Sequence, residues 1–345
     1  MKDTMQQRIE KFNNFVMAQD IDKMPAGLFN GKMGLSIYFY HQARIHNDKK
    51  HNHFAEKLLD SVYDQVHNAL PVDIENGLTG ICEGILYLIE NGFVKGSPNY
   101  VLKDLDDKIF NMLYFNLLNE KSHTTLDEMK IIAHVSLYFC KRITNTGISK
   151  NEKELFKQII IGAINKIETS SAGMEKMTDP FPFSPFGYFP FIYFELVKKV
   201  YELGFYTHKL EKVCDEWSDR VLSSFPLLQA HRFLLSSAIE GVCNYRNISN
   251  WKEYADLLKR QTDPDYIVSS EFRNKNIYIH NGLAGFYFFM KRNNTLTDKL
   301  KKSIVDKLAV SEQWNDFAKA DDNEKLAFKG LMTGLAGVIL AYQDI

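Results

Sequence analysis

The sequence predicts an all-α protein of about seven helical hairpins, and three observations carry that prediction. Apolar residues recur with helical period along most of the 345-residue chain. A polar residue followed by GxxG returns at near-regular intervals. Alternating strand patterns are rare, and Pro25, Pro71, Pro98 and Pro264 fall where helices would end.

The helical stripes come first. Phe54, Leu58, Val62 and Val66 recur every fourth residue. Leu102, Leu105, Ile109, Met112 and Leu113 form a second stripe, and Met129, Ile132, Ala133, Leu137 and Cys140 a third. Leu210, Val213, Trp217 and Val221 form a fourth. The opening residues 1–20 are polar and helical in pattern, so they predict an N-terminal helix and no secretory leader.

The repeated glycines organise the rest. The segments are Asn30-Gly31-Lys32-Met33-Gly34, Asn76-Gly77-Leu78-Thr79-Gly80, Asn281-Gly282-Leu283-Ala284-Gly285 and Thr333-Gly334-Leu335-Ala336-Gly337. First glycines at 31, 77, 282 and 334 give two direct spacings of 46 and 52, and the gap between 77 and 282 holds about four more units. Ser184 to Pro190, Ser237 to Gly241 and a helix around His134 are the candidates to fill it. A unit of about 50 residues suits two antiparallel helices and their connections. Glycines one turn apart would let helix starts converge on one axis, with backbone N–H groups facing a shared central space. The architecture expected is a single α/α toroid over residues 1–345, with inner helices opened by GxxG.

Bulk properties exclude several function classes. Apolar residues make up 45% and charged residues 25%, with 42 basic against 43 acidic residues and a net charge of −1. No strong field exists to attract nucleic acid, and no apolar run is long enough to span a membrane. The expected location is the cytoplasm. Cys82, Cys140, Cys214 and Cys243 are widely spaced, which argues against a disulfide framework or a Cys-rich zinc finger. The 13% aromatic content reads as filler between helices. No P-loop, GxSxG, HExxH or dinucleotide fingerprint is present.

The glycine segments resemble the lanthionine synthetase C-like (LanC-like) family from about Gly27 to Tyr342, most specifically at the two ends. The resemblance implies an α/α toroid of seven outer and seven inner helices. It also implies a cavity for a precursor peptide, whose cysteine thiolate a zinc ion activates for thioether formation. Asp73, in Val72-Asp73-Ile74-Glu75-Asn76-Gly77-Leu78-Thr79-Gly80, takes the place of the family's acid/base aspartate; it equally suits a turn cap after Pro71. The family's zinc ligands are replaced. His280 and Asn281 stand where it has Cys-His, Ser236 where it has a second Cys, and Phe186-Gly187 where it has His-Gly. One His with Asn and Ser does not make a transition-metal site. Cys243 should point into the packing rather than restore one. The expectation is therefore no metal and no cofactor.

Asp73 and His280 are the candidate catalytic residues, although His280 equally reads as a core histidine. Asn281, Ser236, Asn30, Asn76, Glu240 and Tyr188 are the candidate ligand-binding residues. The histidines from His41 to His67 read as a solvated loop or outer face. The function implied is ligand or peptide binding within a peptide-modification pathway, with a precursor peptide or pathway enzyme as partner and no zinc-dependent cyclisation. A second reading is a carbohydrate-active enzyme using Asp73, Glu83 and Glu240 as paired carboxylates, with Tyr188, Trp217 or Trp251 stacking on sugar. A third is a non-catalytic interaction protein that docks through the Phe-rich segment 179–194.

Overall fold

A computed structural model describes residues 4–66, 69–118, 124–170 and 183–344. The fold is all-helical, 72% helix, with no strand among the described residues. Local chemistry sets many helix ends. Thr4 and Gln7 form a capping box that starts a helix at Met5, and it ends at Met17, short of residue 20. Asp48 caps Lys49–Gln65. Reciprocal caps Thr125/Glu128 and Ser149/Glu152 start Leu126–Thr144 and Lys150–Thr169.

The apolar stripes are buried largely as their spacing predicts. Phe54, Leu58, Val62 and Val66 face inward, as do Leu210, Val213, Trp217 and Val221. Met112 and Leu137 are only half-buried, because each lies at the edge of its stripe. The histidine-rich stretch is not a loop. It comprises the end of Lys32–His46, a turn through Asn47 in the left-handed region (φ 50°), and the start of Lys49–Gln65. His41 is half-buried and hydrogen-bonded to the Tyr87 hydroxyl at 2.8 Å. His67 lies outside the described residues.

The chain divides into two compact units. The first joins the two ends of the sequence, residues 1–95 and 265–345. It contains the four helices that follow GxxG: Lys32–His46, Leu78–Glu90, Leu283–Arg292 and Leu335–Asp344. They pack side by side in an order that differs from the sequence. Leu283–Arg292 lies against Leu335–Asp344, which lies against Lys32–His46, which lies against Leu78–Glu90. Lys49–Gln65 backs Lys32–His46, and Asp298–Val310 backs the two C-terminal helices. Phe12 and Phe15 bring Met5–Met17 onto Phe317.

The second unit spans residues 96–264. Leu126–Thr144, Phe189–Glu202 and Gln229–Cys243 pack side by side there, backed in turn by Lys150–Thr169, Thr207–Ser223 and Ser249–Arg260. The expected unit around His134 and the one near Ser184 to Pro190 both correspond to helices. Ser237 to Gly241 does not open one. The helix starts at Gln229, and that segment forms its second half. The buried interior of this unit holds an ion pair, with Arg142 Nη2 at 2.8 Å and Nε at 3.0 Å from Asp106 Oδ2, and Tyr138 donating to Oδ1 at 2.5 Å. Burial raises the Asp106 carboxyl above its usual range, although Arg142 and Tyr138 pull the other way.

Candidate functional site

The GxxG segments build a different structure from the one their spacing suggests. Each helix is preceded by a six-residue loop that folds back over its own first turn. At all eight glycines, a Cβ would fall inside 3 Å of the carbonyl oxygen six residues earlier: Pro25 for Gly31, Leu28 for Gly34, Pro71 for Gly77, Ile74 for Gly80, Asn276 for Gly282, Ile279 for Gly285, Phe328 for Gly334 and Leu331 for Gly337. Glycine is required because loop backbone occupies the space of a side chain.

The loop also takes up the N–H groups expected to face a central space. Lys32, Leu78 and Leu283 donate to the carbonyls of Pro25, Pro71 and Asn276 at 2.8, 2.9 and 2.9 Å. Met33 and Ala284 donate to Ala26 and Ile277, both at 3.1 Å. These helix starts are therefore not open anion-binding ends. The closest approach at each glycine is to its own loop. The second glycine additionally meets a side chain of the neighbouring loop: Leu331 at Gly34, Leu28 at Gly80 and Ile279 at Gly337.

A chain of backbone hydrogen bonds joins the four loops. His280 N donates to Met332 O at 2.7 Å, Met332 N to Phe29 O at 3.1 Å, and Phe29 N to Glu75 O at 3.0 Å. Each of these residues stands two before the first glycine of its repeat, so equivalent positions are linked throughout. The links follow the packing order of the helices and place the last repeat beside the first. Gly27 and Gly330 permit the approach. A Cβ on Gly27 would strike Asn76 and Glu75 backbone, and one on Gly330 would strike Asn30 and Phe29 O.

Five of the eight candidate residues lie on this row of loops. Asp73 Oδ1 accepts from Glu75 N and Asn76 N, both at 2.8 Å, so the carboxylate caps its own loop. Asn76 is exposed and Asn281 half-buried. The His280 ring packs on Phe29 with centroids 5.3 Å apart, and burial lowers its pKa. Asp73 and His280 are on loops at opposite ends of the hydrogen-bonded chain, with the 328–333 and 25–30 loops between them. Asn30 Oδ1 is buried without a hydrogen-bond partner, as is Thr333 Oγ1 at the equivalent position of the fourth repeat. Sequence reasoning omitted Thr333, although it precedes Gly334 just as Asn30 precedes Gly31.

The other three candidates belong to the second unit, and each has a local role. Ser236 is 1% exposed, mid-helix, and its hydroxyl donates to Phe233 O at 3.0 Å. Its segment is helical where the matched family motif was expected, so the match places no ligand there. Glu240 pairs with Lys259. Tyr188 is fully buried, with its ring stacked on His231 at 4.6 Å, and presents no open face to a sugar. Trp217 and Trp251 are also fully buried. Within the Phe-rich segment, residues 179–182 lie outside the described residues. Phe183, Phe189, Phe191 and Phe194 are buried, so these rings fill the interior rather than form a docking surface.

The site does not fit zinc. The Cys243 thiol of the second unit is directed to Ile248 O, and no group of three His, Cys, Asp or Glu side chains suited to a metal occurs among the described residues. All four cysteines are buried and none forms a disulfide, and burial raises the Cys140 thiol to about 12 and Cys214 to about 11. No helix among the described residues is long and apolar enough to cross a membrane. No known protein family and no curated protein matches the sequence.

Proposed function

We propose that the chain is a LanC-like α/α toroid of about seven hairpins. It binds a peptide or another small polar ligand at the row of GxxG loops, as part of a peptide-modification pathway and without zinc-dependent cyclisation. One observation carries the reading: the hydrogen-bonded loop chain runs from residue 280 through 332 and 29 to 75. It sets the C-terminal repeat between an earlier repeat and the N-terminal one, as ring closure requires. An open solenoid would keep its terminal repeats apart. The four GxxG helices of one unit and the three side-by-side helices of the other agree in number with the inner helices that the resemblance implies.

The side chains along the row favour a ligand rich in hydrogen-bonding groups. Asn30 and Thr333 carry oxygens without partners, and leaving each unmatched costs about 1–3 kcal/mol. A peptide offers an N–H and a C=O at nearly every residue. With its pKa lowered, His280 is neutral at pH 7 and serves as a hydrogen-bonding ring rather than a cation. The carbohydrate reading has less support, because Asp73 and Glu240 already have local partners and the candidate stacking rings are buried.

Binding of fluorescent Ser-, Thr- and Cys-rich peptides, followed by anisotropy, tests the proposal. Saturable binding weakened by Thr333→Val and by Asn30→Ala is the expected result. Absence of peptide binding, or binding indifferent to both changes, sinks it. Stoichiometric zinc in the purified protein, lost on changing His280, would overturn the non-zinc assignment.

A further inference from the structure

Aligning the four GxxG helices on their first residue isolates Lys32. Leu78, Leu283 and Leu335 hold that position in the other repeats, and all three are buried. Lys32 is buried as completely, at 0% exposure, yet its side chain ends in an amine. Its Nζ lies 2.8 Å from the Oγ of Ser61, on the helix Lys49–Gln65 that backs its own.

The kind of partner matters. Lys307, another desolvated lysine, donates to the carbonyls of Val268 and Ser269 at 2.5 and 3.1 Å. A carbonyl oxygen can only accept from an amine. A hydroxyl can also surrender its proton to one. Burial lowers the Lys32 pKa below the ordinary lysine value, although Asp22 and Asp64 pull the other way. Burial thereby favours the neutral amine, the form that can take a proton.

Ser61 is placed to meet a substrate. A serine that only satisfied a buried amine would need no access to solvent. Ser61 is half-buried and lines an open cavity of about 450 Å³ between its helix and residues 19–22. Asp20, Asp22, Asp60 and Asp64 line the same cavity, with Lys57 as its one cation. Asp20 caps the Ile21–Lys23 turn and pairs with Lys23 at 3.3 Å, which leaves Asp22, Asp60 and Asp64 to meet a cation. Lys57 stands four residues before Ser61, on the same helical face, and offers an ammonium to an oxygen gaining negative charge.

We propose that Ser61 and Lys32 form a Ser–Lys nucleophile pair that takes acyl groups from substrates carrying a positive charge. Ser61 Oγ bonds to the acyl carbon while its proton passes to Lys32 Nζ. The bond from that carbon to the leaving oxygen or nitrogen breaks, and the leaving group carries the proton away. Water then attacks the Ser61 ester, releasing the free acid and restoring the hydroxyl. The cavity carboxylates draw in the cationic end of the substrate. No ligand-binding residue of the loop row takes part, so this activity stands or falls independently of peptide binding.

Sulfonyl fluorides test the pair on the intact chain, because they transfer a sulfonyl group to an activated serine and release fluoride. One probe is a benzenesulfonyl fluoride bearing an aminoethyl group, which is cationic; phenylmethanesulfonyl fluoride is its neutral counterpart. Peptide mapping by mass spectrometry should find the adduct on Ser61, formed severalfold faster from the cationic reagent. Lys32→Leu restores the residue of the other repeats, so it should keep its Tm while Ser61 labelling falls to background. Asp60→Asn with Asp64→Asn should remove the preference for the cationic reagent. Ser61 left unlabelled by both reagents overturns the proposal. So does labelling that Lys32→Leu leaves unchanged, as a purely structural lysine would. A cationic preference that survives both Asp changes overturns the assigned substrate charge. The wild-type labelling rate should also climb with pH as the amine loses its proton, and a flat profile counts against the pair even if the variant fails to fold.

Discussion

Gly285→Ala is a direct test of the idea that glycines serve the loop wrapped around each helix start. The three atoms nearest a Cβ at this position all belong to Ile279 backbone. The Ile279 carbonyl would have to withdraw by about 1.5 Å to restore van der Waals contact. That loop is tied down by Leu283 N to Asn276 O at 2.9 Å, Ala284 N to Ile277 O at 3.1 Å and His280 N to Met332 O at 2.7 Å. Disrupting two of these, with the groups left partly buried, costs about 2–5 kcal/mol. Alanine's higher helix propensity returns up to about 1 kcal/mol. The net expectation is a loss of about 2–4 kcal/mol. Gly162→Ala is the control, because a Cβ there would meet a flexible Leu118 methyl at 3.3 Å and the helix gains propensity. Urea unfolding followed by far-UV circular dichroism gives both values. Hydrogen exchange at the His280 and Met332 amides reports whether the loop contact has opened. If Gly285→Ala matches the wild type in stability, or the two variants behave alike, the loop-wrapping argument is wrong.

Two further predictions concern charge. Arg142→Met leaves Asp106 charged and buried, and should cost about 3–5 kcal/mol; adding Asp106→Leu should recover much of that in the same urea assay, and no recovery would mean the pair is not the source of the loss. Burial lowers the pKa of His41, His51 and His280 below the ordinary 6.5, so the unfolded chain binds protons more readily than the native one. Stability from this source is therefore complete above about pH 6.5 and falls as the pH drops toward the folded values; unfolding midpoints that stay flat or rise on acidification, or an unchanged slope in His280→Gln, would contradict it.

The helical class and most buried stripes were legible because a period of 3.6 is written directly in the order of residues, as at Leu58, Val62 and Val66. The four GxxG helix starts were legible for the same local reason. What glycine does there was not, because a carbonyl six residues back leaves no mark on composition. Its contact depends on the loop's path. The linkage of His280, Met332, Phe29 and Glu75 was hidden for a stronger reason. It uses only backbone atoms, which every residue type supplies. The second unit was hardest to read. Its comparable helices start at a Thr125/Glu128 capping box, at Tyr188 with Pro190 in the first turn, and at Leu228, so they share no motif. Ser236, matched to the family's second Cys, lies inside Gln229–Cys243, and whether a residue there faces a site depends on a helical register that the sequence does not show. Thr333 could have been found by aligning the repeats on one another.

The backbone character of the loop chain has a consequence for the side chains it carries. His280, Met332, Phe29 and Glu75 differ in size, charge and polarity, yet each occupies the same position of its repeat and makes its link to the next loop through the main chain. The row can therefore exchange side chains without surrendering the links that hold it. On this argument the residues standing where the LanC-like pattern has zinc ligands are free to change chemistry at small structural cost. His280→Cys with Asn281→His should fold with a stability within about 1 kcal/mol of wild type, even though it gives up the His280 ring packed on Phe29. Preserved amide protection at residues 280 and 332 should accompany it. A loss of several kcal/mol, with the 280–332 link opened, would mean that the His280 side chain helps to build the row and is not merely displayed by it.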